Sequence, residues 1–218
     1  MDAFPNLKKL KRNFYTRDVI TVAKELLGKI LVKKDKGHIL AGKIVEVEAY
    51  DGATDEAAHT FRGKTKRNEI MFGEGGFFYV YFTYGAHFCC NVVTGQKDQG
   101  TAVLIRAVEP IKGIKIMSYN RFGRNLLNAK ERFNLTSGPG KVCQAMGINK
   151  THYGIDLTGD KIFLLDNPCL SQDQILVTKR VGIKKSAHLP WRFCIKNNPY
   201  VSRNRSVSTH VLNYDYVS

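Results

Sequence analysis

The sequence contains no CxxC pair, and its five cysteines do not cluster with its six histidines. Free thiols in a reducing compartment explain an odd count with that spacing better than a disulfide framework or a zinc site. Proline is scarce, at six in 218 residues, and no repeat or linker divides the chain. No apolar run reaches membrane-spanning length, and the N-terminal MDAFPNLKKLKRNF has no apolar stretch of signal-peptide size. The chain is therefore expected to be soluble and intracellular, with no membrane partner. The P-loop spacing GxxxxGK[ST] is missing, so SGPGKVCQ supports neither ATP nor dinucleotide binding. Acid is also in short supply. Nineteen Asp and Glu face 34 Lys and Arg, for a net charge of +15. An excess that large points to an anionic partner, with nucleic acid ahead of a membrane surface.

Against that shortage, the stretch Gly42–Ala58, GKIVEVEAYDGATDEAA, holds five carboxylates. Its first half alternates as a strand does. Val45, Val47 and Ala49 share one face, and Glu46, Glu48 and Tyr50 share the other. The first face suits a core; the second is either solvated or lines a site where a carboxylate handles a proton.

The rest of the chain reads as one α+β domain of 1–218, with a flexible N-terminal segment of roughly ten residues. RDVITVAKELLG predicts a helix capped by Thr16, with Val19, Val22, Ala23, Leu26 and Leu27 as its apolar stripe. KILVKK and ILAGKIVEVEAY form a hairpin. The polar stretch from Asp51 to Gly76 is either disordered or functional, with a short helix expected around Asp55–His59. GGFFYVYFTYGAHFCCNVVTG gives two strands turning at Gly85, and TAVLIRAVEP gives a third. Helices cover KGIKIMSYNRF and Lys141–Met146, and late strands follow, with WRFCI closing the sheet. The expected architecture is a curved, mainly antiparallel sheet with surrounding helices.

Several side chains are candidates for chemistry, each with a plainer alternative. Glu48 ends its strand and is either a catalytic base or a solvent-facing carboxylate. His59 holds a base or water, or caps local structure. Lys64, Lys66 and Arg67 are phosphate contacts or ordinary loop charges. In YVYFTYG, Phe78, Val80, Phe82 and Tyr84 share one face and Tyr79 and Tyr81 the other; most such stripes are core. Tyr84 precedes Gly85, so its ring could project from the turn and wedge between bases. Asn91 must find partners if buried. Arg106 is either ion-paired with Glu109 or Glu46 or bound to phosphate. Lys141 follows a glycine-rich turn suited to an anion.

These motifs together resemble the alkyladenine (3-methyladenine) DNA glycosylase family of the compact mixed α/β type. The resemblance rests on IVEVEAY with DEAAH, RN and MF, YVYFTYG with CCN, VLIRAVEP, TSGPGKVCQAMGI and PYVS, which cover nearly the whole chain. It implies a monofunctional hydrolase without AP-lyase activity. Such an enzyme flips alkylated or deaminated purines out of double-stranded DNA and cleaves the N-glycosidic bond with activated water, initiating base excision repair. It implies a hairpin reaching toward DNA, a monomer, and no metal or cofactor. By the family motif, Glu48 activates the water and Arg106 stands beside it. Tyr50, His59 and Tyr81 stack on the base, and Asn91 excludes guanine. Tyr84 fills the vacated stack, while Lys64, Lys66, Arg67 and Lys141 hold the DNA backbone. Two positions depart from the pattern: Lys66 stands where proline is common, and Ala86 where methionine is common.

Overall fold

Burial along the chain follows its hydrophobic pattern closely enough to set the layers. In the computed structural model, which describes residues 4, 6–35, 37–83, 85–125 and 127–202, eight strands form one sheet. They are β1 (Ile30–Asp35), β2 (His38–Asp51), β3 (Phe78–Thr83), β4 (His87–Thr94), β5 (Thr101–Lys112), β6 (Ile162–Leu165), β7 (Ile175–Thr178) and β8 (Arg192–Ile195). The order is β3-β4-β5-β2-β1-β6, and every pairing is antiparallel. β2 is long enough to pair with β1 through its first half and with β8 through Glu46–Glu48, while β5 runs along its other edge. WRFCI therefore does not close the sheet at an edge; it lies against the central strand, and β7 lies beyond it. The result is a single α+β domain built on a curled antiparallel sheet.

Among the described residues, five α-helices accompany the sheet: α1 (Arg12–Tyr15), α2 (Val19–Leu26), α3 (Ile114–Phe122), α4 (Ala129–Asn134) and α5 (Pro139–Met146). At eight residues, α2 is too short to stand alone in water. It is held by Val22, Ala23 and Leu26, which join Ile44, Val47 and Ala49 of β2 and Val142, Cys143, Ala145 and Met146 of α5 in the main core. Each of the Val, Leu, Ile and Met side chains contributes about 1.5–3 kcal/mol on burial. The cap of α2 is Asp18, whose Oδ1 accepts from Thr21 N at 2.8 Å, and not Thr16, because the three-residue spacing belongs to Asp18. The last predicted helix begins at Pro139, not Lys141: proline at the first helical position has no amide to leave unsatisfied.

Two further corrections concern β2 and its loop. A bulge at Val45 interrupts the register with β5, so that Ile44 pairs with Val108 and Glu46 with Ala107. The extra residue takes Val45 out of the main core and into a small cluster with Ala107 and Tyr200. No helix forms at Asp55–His59. Asp55 Oδ1 accepts from Ala57 N at 3.0 Å in a local turn, and three-residue turns run on to Gly63. At the N-terminus, Leu10 N donates to Leu164 O at 2.9 Å and Asp166 N to Lys8 O at 2.7 Å, which ties these residues to β6.

Candidate active site

One face of the sheet collects the chemistry through strand register. Directly opposed residues of an antiparallel pair share a face. Arg192 opposes Glu48, Glu48 opposes Leu104, Leu104 opposes Asn91, and Asn91 opposes Tyr79. This row crosses five strands. Alternation adds Glu46 and Tyr50 on β2, Tyr81 on β3, Cys89 on β4 and Arg106 on β5. Above the row lies a cavity of about 600 Å³ lined by Tyr50, His59, Tyr81, Asn91 and Arg106, among others. That size is ordinary for a small-molecule or base site.

At its floor, Glu48 is fully buried. Its Oε2 accepts from Tyr50 OH at 2.8 Å, and its Oε1 from Val181 N at 2.7 Å, with Arg106 Nη1 at 3.2 Å. All three partners line the cavity, so the carboxylate sits immediately behind its wall. Burial, reinforced by the Glu48 charge, pushes the Tyr50 phenol far up, so Tyr50 keeps its proton and donates it. Arg106 is ion-paired with Glu46 as well as Glu48, through Nε to Glu46 Oε1 at 2.8 Å. Burial lowers its pKa, but the two carboxylates outweigh that and raise it. Glu109 is not its partner; that carboxylate bonds Lys43 and Asn198.

Aromatic rings form the walls. Tyr79 and Tyr81 stack at 5.3 Å with 25° between their planes, and His59 meets Tyr81 edge-on at 4.5 Å. His59 Nδ1 lies 2.9 Å from Tyr79 OH. The histidine keeps an accessible edge, yet its surroundings desolvate it and Arg67 repels a proton, so its pKa falls and the ring is neutral at neutral pH. Burial likewise pushes Tyr79 to about 12 and Cys89 to about 11. Asn91 is buried and donates Nδ2 to Tyr79 O at 3.1 Å.

The irregular loops are fixed by buried polar clamps. Arg180 forms a two-pronged pair with Asp55, donates Nη1 to Ala49 O at 2.9 Å, and places its guanidinium 4.6 Å over the Tyr50 ring. The neighbouring Val181 thereby reaches Glu48. Asn68 donates to His59 O at 2.8 Å and Gly63 O at 3.0 Å, and accepts from Thr65 N. Lys64, Lys66 and Arg67, by contrast, are exposed.

A model of the methylpurine-DNA glycosylases matches residues 13–199. The chain belongs to the methylpurine-DNA glycosylase family. Among its relatives, a protein of Carboxydothermus hydrogenoformans is 50% identical over 89% of this chain and 98% of its own length. One of Clostridium novyi is 48% identical over 90% and 100%, and one of Chlorobaculum tepidum is 42% identical over 91% and 93%. All three are described as candidate 3-methyladenine DNA glycosylases.

Within this glycosylase fold, the structure brings Arg106, Tyr50, His59, Tyr81, Asn91 and Lys141 to the lining of one cavity, with Glu48 directly behind its wall through Tyr50, Val181 and Arg106. The Lys141 amine is held by Asn134 Oδ1, and burial with Arg121 nearby lowers its pKa. Tyr84 lies outside the described residues. Sequence reasoning missed Arg192, Arg180 and Ser202, which support the floor from late in the chain. The one local signal was the pair of arginines in KRVGI and WRFCI, each sitting in a strand-like run.

Proposed function

We propose that this protein flips damaged purines out of duplex DNA and hydrolyses their N-glycosidic bond, beginning base excision repair. The observation that carries the reading is the juxtaposition of the buried Glu48 carboxylate with an aromatic-walled cavity, one of whose rings, Tyr81, carries the exposed Arg67 guanidinium at 5.6 Å. Tyr50, His59 and Tyr81 stack on the extrahelical base, and the Asn91 amide crowds the exocyclic amine of guanine. Tyr84 supplies the wedge at the β3–β4 turn, where Gly85 takes a φ of +63°. The hairpin thereby reaches toward DNA, and the wedge offsets part of the few kcal/mol that flipping costs.

The bond change is a displacement by water at the sugar carbon that bears the base. The water oxygen bonds to that carbon, its proton passes to Glu48, and the electron pair of the broken bond leaves with the purine. The same carboxylate faces the positive charge that develops on the sugar. Tyr50 and Val181 N keep Glu48 aimed, and Arg106 fixes its Oε1 side. An alkylated purine already carries positive charge, so it leaves neutral without an acid; deaminated purines are slower substrates. Lys141 is the lysine of the cavity lining, and its amine is engaged by Asn134. The displacement by water forms no covalent bond between enzyme and sugar, so the base is released without strand cleavage. Lys64, Lys66, Arg67 and Lys141 hold phosphates, and the protein acts as a monomer on double-stranded DNA in a bacterial cytoplasm, since the relatives named are bacterial.

Duplexes carrying alkylated purine, hypoxanthine or ethenoadenine, incubated with purified protein, test this. Free base should appear fastest from alkylated DNA, leaving abasic strands intact until alkali is added. Release from none of the lesions would overturn the proposal, and breakage without alkali would overturn the absence of lyase chemistry.

A further inference from the structure

Glu46 takes no part in the reaction proposed above, yet it receives more hydrogen bonds than Glu48. Its Oε1 accepts from Arg106 Nε at 2.8 Å, Arg192 Nε at 2.8 Å and Ser202 Oγ at 2.7 Å, and its Oε2 from Ser202 N at 2.6 Å. Arg192 in turn donates Nη2 to Ser202 O at 3.2 Å and Nη1 to Thr178 Oγ1 at 3.1 Å. Glu46 is fully buried. Burial pushes its pKa up, but the two guanidiniums and Ser202 outweigh it and hold the group below its ordinary range. A buried ion cluster is poor value as stabilisation, because desolvation cancels most of the attraction. What it does fix is direction. A guanidinium is a planar fork, and committing its Nε edge determines where its Nη atoms point. With Nε on Glu46, Arg106 places Nη1 at 3.2 Å from Glu48 Oε1.

We propose that Glu46 is a positioning residue, which holds Arg106 against Glu48 and is itself clamped by Arg192 and by the late Ser202. The inference rests on Glu48 being the group that takes the water's proton. It links the reacting carboxylate to a point more than 150 residues further along the chain.

The test measures single-turnover excision and affinity on one lesion duplex. Glu46→Gln should slow excision by about 10- to 100-fold, as a small misplacement of a catalytic group does. Affinity should stay within about threefold. Glu46→Asp, which keeps the charge that holds Arg106, should recover part of the rate. A folded Glu46→Gln within about threefold of the wild-type rate would overturn the inference. So would rate and affinity falling together by the same factor. If Glu46→Gln does not fold, Ser202→Ala decides: a slower rate at unchanged affinity supports the clamp, and a wild-type rate overturns it. Glu48→Gln run in parallel separates the two readings. Its inactivity beside a fully active Glu46→Gln would remove only the positioning role, whereas its activity would remove the proton-acceptor role of Glu48.

Discussion

The floor of the cavity and the loop at its rim use the same kinds of charged residue in opposite ways. At the floor, Glu46, Glu48, Arg106 and Arg192 are buried, and each touches an opposite charge at hydrogen-bonding distance. On the rim, Lys64, Lys66 and Arg67 are exposed, and none has a carboxylate partner among the described residues. Buried charge feels a low dielectric and resists screening, so its placement controls proton affinity and geometry. Exposed charge is cheap, mobile and screened by salt, which suits sequence-independent contact with phosphates. On the proposed reading, a +15 chain can therefore keep a carboxylate as its reacting group. The excess charge and that carboxylate sit in different dielectric environments.

The sharpest way to break this division is at Glu48. Glu48→Gln keeps the size of the side chain but accepts no proton, and excision should fall below detection. A loss of only a few fold would move the proton-accepting role elsewhere in the cluster. Next in size is Arg180→Ala, which strands the buried Asp55 carboxylate. Breaking a buried pair costs about 3–5 kcal/mol, so Tm should drop on the order of 10 °C for a domain of this size. Excision should fall as well, because Val181 loses its anchor beside Glu48. An unchanged Tm would mean that the Asp55–Arg180 clamp does not hold the loop.

The smallest effect concerns pH. Burial lowers the pKa of His59, with help from Arg67, and of His152, with help from Lys33. Both favour the neutral ring in the folded state, so their contribution is present above the ordinary histidine value of about 6.5 and is lost as pH falls through the lowered folded values. Glu46, also lowered, adds a second loss in the acid range below its own ordinary value. Tm should hold steady near neutrality and then fall by a few degrees on mild acidification. A rise in Tm over that interval would contradict the sign.

How much of this was legible in the sequence depends on how far apart the contacting residues are. Alternation in IVEVEAY placed Glu48 with Tyr50, and alternation in YVYFTYG placed Tyr79 with Tyr81, because strand periodicity is local. The burial of Glu48 was not legible. Its cover comes from Val181 and Arg192, more than 130 residues later. The bulge at Val45 was hidden for a related reason: it exists only in the register with β5. At Asp55 a helical reading failed because the carboxylate is taken by Arg180 and by its own turn. The capping box of α4, Asn128 with Glu131, was local and readable in NAKE, yet the helix it opens was overlooked.

The claim that the floor does the chemistry and the rim holds the duplex is tested most directly by one crossed measurement. Single-turnover excision rate and duplex affinity are determined together for Glu48→Gln and for a variant with Lys64→Ala and Arg67→Ala. Glu48→Gln should lose its rate and keep its affinity for lesion duplex. The rim variant should bind damaged and undamaged duplex more weakly by similar factors. Its log–log salt slope should be shallower by about 0.9 for each phosphate contact removed, with the rate at saturation near wild type. If the rim variant instead loses its saturated rate, or Glu48→Gln loses affinity as severely as rate, floor and rim are not the separate devices described.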